Sequence, residues 1–353
     1  MKFTKQKLTD LKLCYAIGMF KGEYSGKVID SFLVATEKEG PCLRFDTDGN
    51  FLEEVWSGPG GVMTITQVPG RNDQILATQE FYSPNCGAED ARIVSATRGA
   101  DGKWEVRTLC DLPYVHRFGI LRSDNGNYLV ACTIKSDCEY REDWRFPGKI
   151  FVAKLPEELE QFDADKQLEL TVLRDEQLKN HGFYLLPDKK SCLISTEEGV
   201  YHITSPSEQQ ADWQVEELLQ KAVSDICLVD FDGDGREELV TLADFHGDEL
   251  SVYKQDDAGK YSELIYRHPE PLPFLHAIWS DELAGKKVAV LGHRKGDRDL
   301  FVLDYVDGEF QLINIDHDRG PTNCCVFHTE QATKIIATNR ETDEVALYTL
   351  EKN

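Results

Sequence analysis

A loose unit of about 50 residues recurs along this chain, built from short apolar runs bounded by Gly, Asn, Asp or Pro. In the clearest copy, His276-Ala-Ile-Trp-Ser precedes Lys287-Val-Ala-Val-Leu-Gly-His293, then Asp299-Leu-Phe-Val-Leu-Asp-Tyr305, then Glu309-Phe-Gln-Leu-Ile313. Those are four strands in hairpin succession. Neighbouring copies begin at Ser224 and Asn323, and earlier ones near Leu11, Val62, His116 and His181. Seven starts at this spacing predict an all-β fold, a seven-bladed β-propeller of four-stranded blades forming one domain over residues 1–353. Two β-sandwiches are the competing architecture. Only residues 156–161 (PEELEQ) and 215–222 (VEELLQKA) read as helical, both as connectors. The last copy stops after its third strand at Leu350, so residues 2–8 are expected to supply the missing strand and close the ring, removing exposed edges.

Charge and hydropathy narrow the function classes. Asp and Glu number 63 against 39 Lys and Arg, a formal net charge of -24, and such a field repels nucleic-acid phosphates and anionic lipid surfaces. No stretch approaches the ~20 apolar residues of a membrane span. Nucleic-acid and membrane partners are therefore not expected. Residues 1–10 are polar and mixed in charge, unlike a secretory signal, which leads to an expectation of a cytoplasmic protein. The ten cysteines are scattered without a CxxC pair, so they read as small buried hydrophobes, with a reactive thiol left open only for the vicinal Cys324 and Cys325.

The sharpest local motif is Asp230-Phe-Asp232-Gly-Asp234-Gly-Arg236-Glu-Glu238. Carboxylates at alternate positions, with Gly at the tight turn, can surround a hard cation with oxygen. Asp230, Asp232, Asp234, Glu238 and the carbonyl of Arg236 are the expected calcium ligands; an acidic hairpin without metal is the alternative. This stretch resembles the FG-GAP or VCBS type of propeller repeat, whose motif places a calcium loop between the first and second strands of a blade. That placement implies a structural site. Asp46-Thr-Asp48-Gly49-Asn50 reads instead as a simple hairpin turn.

Histidine placement carries the functional expectation. His116, His181 and His276 each stand at the start of a first strand, and His246 and His293 follow second strands. In a propeller both places open on one mouth of the central channel. Three imidazoles with open positions suit a catalytic transition metal (Zn, Mn, Ni or Co), so His116, His181 and His276 are the expected ligands. His293 or His246 is a further ligand or general base. Capping of blade ends is the plainer reading. Arg294 and Arg340, with Gln79, Lys135 and Arg117, belong to the same face, where guanidinium groups suit a carboxylate or polarised carbonyl. His317 in Asp316-His317-Asp318-Arg319 is a candidate proton-transfer group or ligand.

No GxSxG, HExxH, phosphate-binding Gly loop or dinucleotide fingerprint occurs. His276, Leu291-Gly-His293-Arg294 and the segment from Ala337-Thr-Asn339-Arg340 to Ala346-Leu-Tyr348 together resemble the propeller domain of the aldos-2-ulose dehydratase group, over roughly the last 130 residues. The resemblance implies a metal-containing propeller that eliminates water from keto-sugars such as anhydrofructose. Oligogalacturonate lyases offer a second, architectural comparison. The leading expectation is thus a metal-dependent lyase or dehydratase of carbohydrate metabolism acting on a keto- or anhydro-sugar. The alternative is a non-enzymatic, calcium-stabilised propeller that binds a protein or glycan. A hydrolase with paired funnel carboxylates is a third option.

Overall fold

A computed structural model describes residues 1–351. The chain forms seven four-stranded antiparallel sheets, the blades of a seven-bladed β-propeller, as the repeat predicts. Blades 1 to 6 each take four consecutive strands, within residues 14–56, 65–111, 115–177, 182–219, 225–267 and 275–316. Blade 7 takes Pro321–His328, Thr333–Asn339 and Glu344–Leu350, and its outer strand is the N-terminal Phe3–Asp10, paired antiparallel to Glu344–Leu350. The expected contribution of the N-terminus to the last blade is therefore present. Two compact units emerge from the contacts: residues 1–15 with 217–353, and residues 16–216.

Successive side chains of a strand point to opposite faces, and inner strands such as Gln74–Gln79, Ser191–Ser195 and Glu238–Ala243 are buried on both, whereas the outer strand Phe3–Asp10 mixes exposed and half-buried positions. In the first unit Val288, Val290, Val302, Val326, Ile335 and Ala337 form one continuous apolar layer. In the second unit Leu121, Val130, Cys132, Ile150, Ile194 and Ile203 do the same. Full burial of such a side chain is worth about 1.5–3 kcal/mol. Blades approach closely where a side chain is missing: a Cβ on Gly119 would lie 2.4 Å from the Phe183 ring of the next blade.

Two local expectations change. Residues 215–222 are not a helix; Gln214–Leu219 is the outer strand of blade 4. Helix propensity in a mostly exposed EELL stretch is worth only tenths of a kcal/mol per residue, and completion of the blade outweighs it. Residues 156–161 retain only a short 3-10 turn, Leu159–Gln161. The second change is a disulfide, Cys86–Cys138, which joins two loops of the second unit with a Cα–Cα distance of 5.7 Å. The other eight cysteines are free and buried. Burial holds the Cys324 and Cys325 thiols far above their usual range, which removes them as reactive nucleophiles. Asp46–Asn50 is the expected turn, with Asp46 Oδ1 accepting the amides of Asp48 and Asn50 and Gly49 at φ 86°. Among the described residues no helix is long and apolar enough to cross a membrane.

Candidate functional site

One backbone device recurs at the start of the first strand in most blades. A residue in the left-handed region stands two positions ahead of the side chain of interest: Leu13 (φ 52°) before Tyr15, Tyr114 (61°) before His116, Lys179 (50°) before His181 and Phe274 (64°) before His276. Gly61 (70°) before Met63 and Gly320 (65°) before Thr322 continue the series. A non-glycine residue held there costs roughly 1 kcal/mol or more, and such strain concentrates at functional sites. The strand pairing also shifts register across His116, His276 and Thr322, a bulge that re-aims the extra side chain.

In the second unit this device presents His116 and His181, both buried, with ring centroids 4.4 Å apart. Phe81 packs edge-on against His116 at 5.0 Å. Arg117 donates to the Met63 carbonyl at 2.8 Å, and Gln79 is buried at the end of Gln74–Gln79. Lys135 is fully buried, with Nζ 2.6 Å from the Asp143 carbonyl and 3.9 Å from the Trp144 ring centroid, and burial lowers its pKa.

In the first unit His276 is buried beside Tyr15 and His246. His276 Nδ1 lies 2.7 Å from the Thr322 carbonyl oxygen, which can only accept. Nδ1 therefore carries the proton, and in the neutral ring Nε2 presents its lone pair. That nitrogen faces the Tyr15 hydroxyl at 3.2 Å. A backbone carbonyl that fixes the tautomer from the Nδ1 side is the arrangement that orients a metal-ligating histidine through Nε2. The His246 ring lies 5.3 Å from His276 and nearly parallel to it, wedged by Phe245 at 3.9 Å and Phe274 at 4.5 Å. His246 is itself left-handed, at φ 55°.

The remaining candidates divide. His293 is buried, with Nδ1 2.7 Å from the Lys295 carbonyl and its ring against Phe301. Arg294 stacks 4.4 Å from the Phe274 centroid and donates twice to Glu341 Oε1, at 2.9 and 2.7 Å. Arg340 donates to the same oxygen at 3.0 Å. Burial works to raise the Glu341 pKa, but the two guanidinium groups prevail and hold it below the usual range. Both guanidinium groups thus converge on one carboxylate oxygen. His317 is 74% exposed and is hydrogen-bonded to Asp299 at 3.0 Å, so it stands at the surface rather than with the cluster of His276 and His246.

Tyr15 escaped sequence reasoning. Its only signal is positional: it occupies in blade 1 the place that His116, His181 and His276 occupy in theirs. Asn323 and Thr338 donate to its carbonyl at 2.9 and 2.8 Å and hold the strand start in place.

The acidic loop lies between Asp225–Val229 and Glu238–Ala243, the first and second strands of blade 5. Ligand oxygens of Asp230, Asp232 and Glu238 lie within 4.8 Å of one another. Glu238 is 1% exposed; its Oε2 accepts the Phe231 amide at 2.9 Å, and its Oε1 accepts no hydrogen bond among the described residues. Burial raises its pKa. That buried oxygen lies beside two further carboxylates and 3.5 Å from Lys254 Nζ, a cluster of oxygens that fits a cation. Asp234 and Arg236 belong to the loop's exposed rim.

No protein-family model matches the chain, and comparison with curated proteins finds no match. Among solved structures, the chain is similar to the β-propeller domain of Cps50 (Swd1) from Myceliophteria thermophila, at 10% identity and TM-score 0.64 over 99% of this chain and 100% of that one. It is also similar to a protein from Bacteroides uniformis provisionally assigned as a 6-phosphogluconolactonase, at 12% identity and TM-score 0.56 over 97% and 92%. Neither is described as a dehydratase or as an FG-GAP protein, so the resemblances drawn from the motifs gain no support here. At such identities the likeness speaks to fold alone, and the fold is the β-propeller.

Proposed function

We propose that this protein is a metal-dependent carbon–oxygen lyase acting on a keto- or anhydro-sugar by β-elimination. The supporting observation is His276, with its tautomer fixed by Thr322 and its Nε2 set 3.2 Å from the Tyr15 hydroxyl beside the His246 ring. The ligands of a divalent transition metal (Zn, Mn, Ni or Co) would come from His116, His181 and His276, with His246 as a further ligand or base. When bound, such a metal polarises a substrate carbonyl and acidifies the neighbouring C–H.

The chain's own groups supply the rest. His246 or His293 accepts the proton, and the Tyr15 hydroxyl moves a proton at the leaving oxygen. Arg294 and Arg340, which share Glu341, orient substrate oxygens through their guanidinium groups. Phe245, Phe274 and Phe81 flank the imidazoles and limit water. Metal content of protein purified without chelator, followed by a screen of keto-sugars, tests this reading. One transition-metal equivalent and formation of an enone product support it; calcium alone or no metal sinks it.

The convergence of Asp230, Asp232 and the buried Glu238 favours a second reading, in which calcium in the 230–238 loop only stiffens a propeller that binds a protein or glycan. Calcium binding without turnover of any keto-sugar would favour that reading.

A further inference from the structure

The carboxylates of the acidic loop divide their oxygens between two tasks. Asp232 Oδ1 accepts the Asp234 amide at 3.1 Å, Asp234 Oδ1 the Arg236 amide at 2.8 Å and Asp230 Oδ1 the Gly235 amide at 3.4 Å, so one oxygen of each shapes the turn. The partner oxygens face cations. Lys254 Nζ lies 2.7 Å from Asp232 Oδ2, 2.8 Å from Asp234 Oδ2 and 3.5 Å from Glu238 Oε1. Lys287 Nζ lies 2.8 Å from Asp230 Oδ2.

The two lysines are not equivalent. Lys287 reaches in from blade 6 with a side chain 58% exposed, so solvent readily replaces its contact. Lys254 ends the strand Glu249–Lys254, its side chain is 22% exposed, and it alone spans three of the carboxylates.

We propose that Lys254 is a built-in competitor for the cation of this loop: its ammonium occupies the oxygens that calcium would take, and calcium binds only when Lys254 is displaced. The inference rests on the calcium reading of residues 230–238. Calcium draws six to eight oxygens to 2.3–2.6 Å, and oxygens at that distance cannot also hold an ammonium within hydrogen-bond reach of two of them. The exchange is selective for charge. A monovalent ion replaces Lys254 with no gain, whereas a divalent one doubles the charge facing four carboxylates. The loop thereby keeps its shape in the absence of calcium, at the expense of affinity.

Calcium titration by calorimetry on the full chain, comparing wild type with Lys254→Met, Lys254→Gln and Lys254→Arg, tests this. Met and Gln keep much of the stem and remove the charge; Arg keeps the charge. Tighter calcium binding by about tenfold in Lys254→Met and Lys254→Gln, with Lys254→Arg near wild type, is the expected result. The same two variants should melt below wild type in chelator and gain more from calcium. Equal affinity in wild type, Lys254→Met and Lys254→Gln would overturn the competition while leaving the calcium site in place. If wild type and the folded variants all fail to bind calcium, the calcium reading falls and the inference with it.

Discussion

His276 Nε2 and the Tyr15 hydroxyl are 3.2 Å apart, while the opposite nitrogen of the same ring lies 2.7 Å from the Thr322 carbonyl. The imidazole is thus held from both ends, and its lone pair shares its direction with a phenol. Replacement of Tyr15 by Phe removes one hydrogen bond, a cost of about 1 kcal/mol in stability. Under the lyase reading it lowers turnover by roughly a hundredfold while the metal content stays at wild-type level. Metal analysis alongside steady-state kinetics checks this, and loss of metal in Tyr15→Phe would place the phenol among the ligands instead.

The histidine reading makes a separate claim. In a His116→Ala/His276→Ala double variant, bound transition metal should fall from about one equivalent to near zero, because such a site needs at least three protein ligands. Circular dichroism and a melting curve must show the fold retained. Undiminished metal in a folded double variant would move the ligands elsewhere.

The N-terminal strand carries an acid-sensitive clasp. Lys5 Nζ lies 2.8 Å from Asp316 and 2.6 Å from Glu344, and Tyr348 donates to Asp316 at 2.9 Å. Burial works to raise the Asp316 pKa, yet the bonds from Lys5 and Tyr348 outweigh it and the folded value is lowered. A depressed carboxyl pKa stabilises the fold fully above its unfolded value of about 3.9, and that contribution disappears as pH falls through the folded value. The melting temperature should therefore drop in acid below about pH 4 more steeply in wild type than in Lys5→Met. At neutral pH the pair contributes about 1 kcal/mol, since both partners are partly solvated. Parallel pH profiles of the two proteins would refute the clasp.

Cys86 and Cys138 tie residues 80–91 to residues 134–147. Reduction, or Cys86→Ser, should cost about 2–4 kcal/mol by restoring freedom to the unfolded chain. Protease cleavage in reductant should appear first within these two loops. Free-thiol counts of eight without reductant and ten with it, measured in denaturant, give the direct check. Ten free thiols in protein isolated under thiol-blocking conditions would show that the bond does not form in the cell.

The repeat was legible because strands and turns are local. Alternating apolar residues and Gly or Asp turns mark the blades, and the carboxylate spacing of residues 230–238 marks an acidic turn between strands without reference to anything distant. The placement of His116, His181 and His276 at first-strand starts was legible for the same reason, since position within a repeat is a property of the sequence.

Residues 214–219 show where local reading fails: EELL favours helix in isolation, and only the unfilled edge of blade 4 makes it strand. The contact of Tyr15 with His276 spans 261 positions, Lys254 meets Asp232 across 22, and Cys86 finds Cys138 across 52. The first and last depend on how the blades are arranged, and the second on the strand pairing within blade 5 that brings the end of Glu249–Lys254 to the acidic loop. Those choices belong to packing, which only the assembled fold resolves.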